Sequence, residues 1–435
     1  MYYKVWIYLI LGLLTTFTSS KALGENFWPP EPNFKVKVDY VDWIRSKLEF
    51  DANDNAWKDY KILFDNTEGS FLWPQAKEGL MKRIETFLNQ PKPWNDSQIP
   101  ELTRYIESLN LYISAYKRGT EHEYFAPKIY ADGPTVLDVL LPYLTASQHF
   151  TNMYIISAWN KENDFEYKEF VTKLNTALKH TYHIQQGPSL VEKRTALEEK
   201  EIVYESILLA LQENCLESKN IQHLNQLLPF VRNDEFCYSF KKSVPFESAS
   251  SYSLLQDITY SKGKKVRFNS KRVLHWLELF GHNPGNQSPI KKIISEEPKK
   301  ISELINSYYK EVWEILKSGC ESKKADDLRT LYENYKGEQT YFKFFPLTSY
   351  SCAYNELIRT ERKRRITFLA ISLAKYRCRE KMLPKSLDEL INDHQLIMDP
   401  VTNKSYEYHK KDSFVIVEAK KLKNFECQKV QLNFK

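Results

Sequence analysis

The sequence predicts a mainly α-helical protein: an irregular multi-helix domain of helical hairpins, with a small C-terminal α+β element that contains a β-hairpin. Three observations carry that expectation. Apolar residues recur at helical spacing, as in Ile301, Leu304, Ile305, Tyr308, Val312, Ile315 and Leu316. Glycine is scarce, 12 of 435 residues, too few for the glycine-dependent turns of dinucleotide folds, P-loop enzymes and large barrels. After Asp399 the pattern changes to strand-like alternation.

Composition narrows the class. The chain is 42% hydrophobic and 14% aromatic, enough apolar surface to pack a core, so disorder is rejected for its bulk. The formal net charge is +6. That is mild for this length and implies no nucleic-acid ligand.

The first residues read as a secretory signal. Lys4 supplies a positive start, Val5 to Phe17 an apolar run, and Ser20 and Ala22 the small residues that place cleavage near Ala22. The run is shorter than the roughly 20 residues a membrane span needs, so no transmembrane helix is expected in the mature chain. Six cysteines follow: Cys215, Cys237, Cys320, Cys352, Cys378 and Cys427. An exported chain permits disulfides among them. Nearest-neighbour pairing would join Cys215 to Cys237, Cys320 to Cys352 and Cys378 to Cys427, and the buried free thiol is the alternative.

Five segments are expected: the signal at 1–22, an extended lead-in at 23–40, a helical domain at 41–281, a linker with connecting helices at 282–348, and a long helix with the α+β element at 349–435. Within the helical domain, helices are expected at 74–90 and 98–118, and two long ones over 135–186 that break near Asn160. The second of these buries Phe170, Leu174, Ala177 and Leu178 and stops at Gly187-Pro188. Ser189 opens the next, to about Asn214, and a shorter helix covers 217–230. Residues 233–272 look irregular, with the basic stretch Lys262 to Arg267 as a loop or short hairpin. Asn283-Pro284-Gly285-Asn286 marks 282–294 as a loop or linker. Helices at 296–318 and 323–336 follow.

The C-terminal segment begins with a long helix over 349–381 whose core positions are Leu357, Ile358, Leu369, Leu373 and Tyr376. Leu383-Pro384 ends it, and Ser386-Leu387-Asp388-Glu389 has the form of a capping box. Asp399 to Lys404 is a turn, Tyr406 and Tyr408 belong to one strand, Phe414 to Val417 to a second, and Val430 to Phe434 to a third. The pattern Leu383-Pro384-x-Ser386-Leu387-x-x-Leu390, then Asp399-Pro400-x-Thr402-x-Lys404-x-Tyr406-x-Tyr408, resembles the tail of a group of uncharacterised exported bacterial proteins. That tail in turn is similar to the soluble part of type II secretion major pseudopilins. The resemblance spans roughly residues 365–418 and implies a helix packed on a small sheet. Glu380-Lys381-Met382 stands where the family has a glycine before the proline, and Asn403 replaces its turn glycine. Too few carboxylates surround Asp399 to carry over the family's calcium site.

No motif assigns a catalytic, cofactor or metal residue. His180 and His183 are three apart on one helix and could share a metal with a third ligand, but surface histidines are expected. Glu121-His122-Glu123 reads as a solvated loop. Arg359-Thr360-Glu361-Arg362-Lys363-Arg364-Arg365 reads as a solvated face paired with Glu356 and Glu361; its alternative, like that of Lys262 to Arg267, is contact with anionic lipid or envelope polymer. The expected function is that of an exported, non-enzymatic protein binding a macromolecular partner through its helical surface. The alternatives are an unrecognised hydrolase acting on envelope material and a pseudopilus-associated component.

Overall fold

The computed structural model describes residues 28–433 apart from 48–53, 65–72, 90–92, 95–97, 128–129, 132–134, 137–138, 142, 161–166, 213–221, 233–235, 281–286, 318–320, 339, 346, 392–393, 412–413 and 421–427. The expected signal therefore lies outside the described residues. The lead-in is non-helical up to Asp39 and is held by Gln256, whose side-chain amide bonds both the N–H and the C=O of Val38 at 3.0 Å.

The N-terminal helices are α1 (Tyr40–Lys47), α2 (Trp57–Phe64), α3 (Glu78–Asn89), α4 (Pro100–Ser108) and α5 (Asn110–Gly119). The single helix expected over 98–118 is broken at Leu109, where φ −94° and ψ 2° leave the helical well. Strands β1 (Tyr130–Ala131) and β2 (Val139–Leu140) pair antiparallel. Helix was expected from 135, but it begins only at α6 (Tyr143–Ala158). Leu141 precedes Pro142, whose ring disfavours the helical conformation in the residue before it.

Helices α6, α7 (Tyr167–Gln186) and α8 (Leu190–Gln212) pack against one another. The apolar stripe read from the sequence, Phe170, Leu174, Ala177 and Leu178, is buried. The boundary between α7 and α8 is a capping box. Ser189 N–H donates to Glu192 Oε2 at 2.7 Å, and Glu192 N–H donates to Ser189 Oγ at 3.2 Å. The box is buried, and the Tyr143 hydroxyl also donates to the Glu192 carboxylate. A methyl group at Gly187 would overlap that carboxylate. Gly187→Ala is expected to cost about 2 kcal/mol, as overpacking does in a tight site; an unchanged urea midpoint would show that the box can shift.

After a 3₁₀ turn at Gln222–Gln226 come α9 (Leu228–Arg232), α10 (Phe236–Lys241) and α11 (Ser243–Asp257). Irregular structure was expected over 233–272. The serines of α11 favour turns when solvated, but Ser243, Ser248, Ser250 and Ser253 are buried here, and tertiary packing overrides the weak propensity. Strands β3 (Thr259–Lys262) and β4 (Lys265–Phe268) form the hairpin, turning at Gly263 with φ +63°, a conformation glycine adopts without a Cβ penalty. Helix α12 (Ser270–Leu279) starts at Asn269, whose side chain accepts from Lys271 N at 3.1 Å. The linker expected at 282–294 is partly helical, as α13 (Gln287–Ile294).

Next are α14 (Pro298–Leu316), with proline in its first turn, α15 (Lys323–Glu338) and α16 (Thr340–Phe344). Helix α17 (Tyr350–Glu380) has 31 residues, about 46 Å at 1.5 Å per residue. It ends in a left-handed Lys381, φ 59°, ahead of Leu383-Pro384. Its expected core positions Leu357, Ile358, Leu369 and Leu373 are buried, and Tyr376 is half-buried. A 3₁₀ turn (Leu387–Glu389) and α18 (His394–Ile397) lead to β5 (Glu407–Lys410), β6 (Phe414–Ala419) and β7 (Gln428–Asn433), an antiparallel sheet in the order β5-β6-β7. At the expected capping box Ser386 makes no side-chain cap bond; Glu389 Oε2 accepts from Lys385 N at 2.7 Å instead.

The fold is thus mainly helical with a small C-terminal sheet. Helix α8 lies at its centre, packed on α6 and α7 on one side and on α17 and β7 on the other. The inward residues Val415, Val417, Val430 and Leu432 face the body across the sheet register. No described helix is long and apolar enough to cross a membrane. Cys352 and Cys378 are free thiols, and no two described cysteines stand at disulfide distance. The side chains of Cys215, Cys237, Cys320 and Cys427 lie outside the described residues.

Candidate functional site

Three groups of polar side chains stand out, and burial separates their roles. The first lies between α6, α7 and α8. His180 and His183 are 0% and 2% exposed, so the expectation of surface histidines is overturned. Their helix is covered on more than one side, which removes the solvent-facing edge that histidines usually take. His183 Nε2–H donates to the His122 carbonyl at 2.9 Å, so Nδ1 is the acceptor for the Tyr60 hydroxyl at 3.0 Å. Both ring nitrogens are used with the imidazole neutral, and burial depresses its pKa to about 4.

His180 Nε2 lies 2.7 Å from Ser147 Oγ, which lies 2.5 Å from Glu199 Oε1. The hydroxyl donates to one and accepts from the other. Burial pushes the Glu199 carboxyl up to about 8 and holds the His180 imidazole well below its usual value. At neutral pH the cluster is therefore uncharged. A serine nucleophile needs an imidazole base held from behind by the carboxylate; here the carboxyl engages the serine itself, with all three residues within 1% of full burial. The arrangement links α6, α7 and α8 through the core.

His122, expected in a solvated loop, is half-buried, with Nε2 2.8 Å from Asp59 Oδ2. It ties the 120–127 loop to α2. Among the described residues no three His, Cys, Asp or Glu side chains stand where they could share a metal ion.

The second group is the arginine run on α17. A solvated face was expected; instead Arg362 and Arg364 are buried. Arg362 Nη2 donates to Asp399 Oδ2 at 2.8 Å and to the Lys420 carbonyl at 2.6 Å. Arg364 and Arg365 both donate to Glu361, and Arg365 Nη1 also reaches the carbonyls of Gln395 and Met398. Glu356 pairs with Arg194 of α8. The run fastens the C-terminal element to the body, because helix residues three and four apart can reach both sides of the docking seam. Asp399 also accepts from Val401 N and Thr402 Oγ1, so the turn at Asp399 to Lys404 is the docking point.

The third group is on the surface. In the β3–β4 register Tyr260 pairs with Arg267 and Lys262 with Lys265. Paired residues share a face, so these four side chains project outward, while Thr259 and Phe268 form the buried pair beneath. Lys264 stands in the turn. Helices α13 and α14 pack on β4, and Lys291 and Lys292 of α13 are exposed. On the other flank the Ser261 hydroxyl donates to the Phe34 carbonyl, beside exposed Lys35, Val36 and Lys37. Arg272 at the base pairs with Asp257. Among the described residues Lys262, Lys264, Lys265, Arg267, Lys291 and Lys292 have no carboxylate in ion-pair reach.

A signal for this face was present in the sequence but is lost in a whole-chain average. Residues 259–300 hold ten Lys or Arg and three Glu, a net +7, against +6 for the entire chain. The rest of the chain sums to −1. The chain matches no family model, no curated protein and no solved structure.

Proposed function

We propose that this chain is an exported, non-enzymatic protein that binds a polyanionic macromolecular partner of the cell envelope through the cationic face of the β3–β4 hairpin. The supporting observation is charge segregation: a surplus of +7 gathered in 42 residues of a chain whose remainder is nearly neutral. Cations left without carboxylate partners on one face build a local potential that attracts anions over about a Debye length, about 8 Å at physiological salt. Export rests on the pattern from Lys4 to Ala22. The groups a hydrolase would need in a cleft, Ser147, His180 and Glu199, are instead enclosed by α6, α7 and α8.

The test is co-sedimentation of the purified mature protein with washed envelope material. Retention at low ionic strength, release by about 1 M salt, where the Debye length is about 3 Å, and no soluble fragments shed from the envelope are expected. Protein that stays in the supernatant at low salt would rule the reading out, and release of fragments that Ser147→Ala abolishes would replace it with the hydrolase.

A further inference from the structure

The cationic face also carries an aromatic side chain that a soluble polyanion would leave unused. Tyr260, on the outer face of the hairpin between its cations, is 43% exposed. On neighbouring segments Val36, between Lys35 and Lys37 of the lead-in, is 70% exposed, and Ile294 of α13 is 39% exposed. Exposed large apolar groups interleaved with Lys and Arg are what an interfacial contact needs: the cations meet headgroup phosphates while aromatic and aliphatic groups enter the boundary with the acyl chains.

The hairpin suits this contact for a geometric reason. Its inner face is already committed, with Phe268 stacked on Tyr341 at 6.2 Å and Thr259 buried. All of its cations therefore present outward, and the turn at Gly263 places Lys262, Lys264 and Lys265 together at the tip. No described helix can span a bilayer, so the attachment would be peripheral.

We infer that this face docks on the surface of an anionic lipid bilayer, with Lys262, Lys264, Lys265 and Arg267 meeting headgroup phosphates and Tyr260 entering the interface. The inference rests on the function proposed above and names its partner class. Each Lys or Arg near an anionic surface contributes about fivefold in affinity. Salt weakens that contribution, whereas apolar insertion is not screened.

The experiment is sedimentation of the mature protein with vesicles of phosphatidylglycerol mixed with phosphatidylcholine, and with phosphatidylcholine alone, across a salt series. A parallel titration uses soluble inorganic polyphosphate. Binding to the anionic vesicles only, falling with salt, is expected. The triple variant K262Q/K265Q/R267Q should bind about a hundredfold more weakly, and Tyr260→Ser severalfold more weakly at every salt concentration at which the parent binds. All four positions are exposed, so circular dichroism and the melting temperature should match the parent. Equal binding of parent and triple variant, or no sedimentation with anionic vesicles, overturns the inference. Polyphosphate binding without vesicle binding overturns it while leaving the proposed function standing; binding to neither vesicles nor polyphosphate nor envelope material removes both.

Discussion

Arg362→Ala is expected to cost about 3–5 kcal/mol of stability, the range for removing one partner of a buried ion pair. The Arg362 side chain is 0% exposed and its Asp399 partner 3% exposed, so the carboxylate left behind could not be rehydrated without opening the seam between α17 and the C-terminal sheet. The lost guanidinium also leaves the Lys420 carbonyl without its donor. Urea denaturation would measure the loss, and limited proteolysis should locate new cleavage after Glu380. The double variant Arg362→Met with Asp399→Asn should recover part of the loss, because a neutral pair no longer strands a charge while the asparagine keeps an acceptor for Val401 N. A single variant within about 0.5 kcal/mol of the parent would show that the arginine run is ornamental to docking.

Glu199→Gln is expected to stabilise the protein at pH 7 by about 3 kcal/mol. The carboxyl titrates near 8 when folded against 4.5 when unfolded. Between those values the native state holds a proton that the unfolded state has released, so stability falls as pH rises through that window and levels off above about 8. A neutral amide of the same shape removes that dependence. One half-buried and one buried histidine act in the opposite sense. His149 and His183 titrate near 4 when folded against 6.5 when unfolded, so they cost stability as pH falls from about 6.5 to 4. Thermal melts from pH 4 to 9 on parent and variant would separate the two effects. The parent-minus-variant difference should be flat below pH 4.5 and grow up to about pH 8. A difference independent of pH would mean that Glu199 is ionised in the folded state.

Both predictions concern contacts that no local pattern announces. Arg362 meets a carboxylate 37 positions away and a carbonyl 58 away, and Arg364 reaches the carbonyl of Val231, 133 positions back. Along the sequence the run Arg359 to Arg365 has the composition of a solvated face. Only the docking of the sheet onto α17 turns it inward. His180 and His183 failed for a related reason: periodicity identified one buried stripe on α7, but a helix enclosed on several sides also buries residues off that stripe. In α11, serine content argued for irregular structure, and packing among buried neighbours prevailed.

By itself the sequence determined the helical class, the ends of α7, α8, α14 and α17, the turn at Asp399 to Lys404 and the alternating strands, while at Lys262 to Arg267 it left a loop and a short hairpin both open. These are local matters, set by φ preferences, capping side chains and the period of apolar residues within a few positions. Tertiary structure alone decided which polar residues are enclosed and which cations keep an open face. Burial and pairing depend on what the rest of the chain brings up against a residue. The free energy of a charge depends far more on that surrounding medium than on its neighbours in sequence.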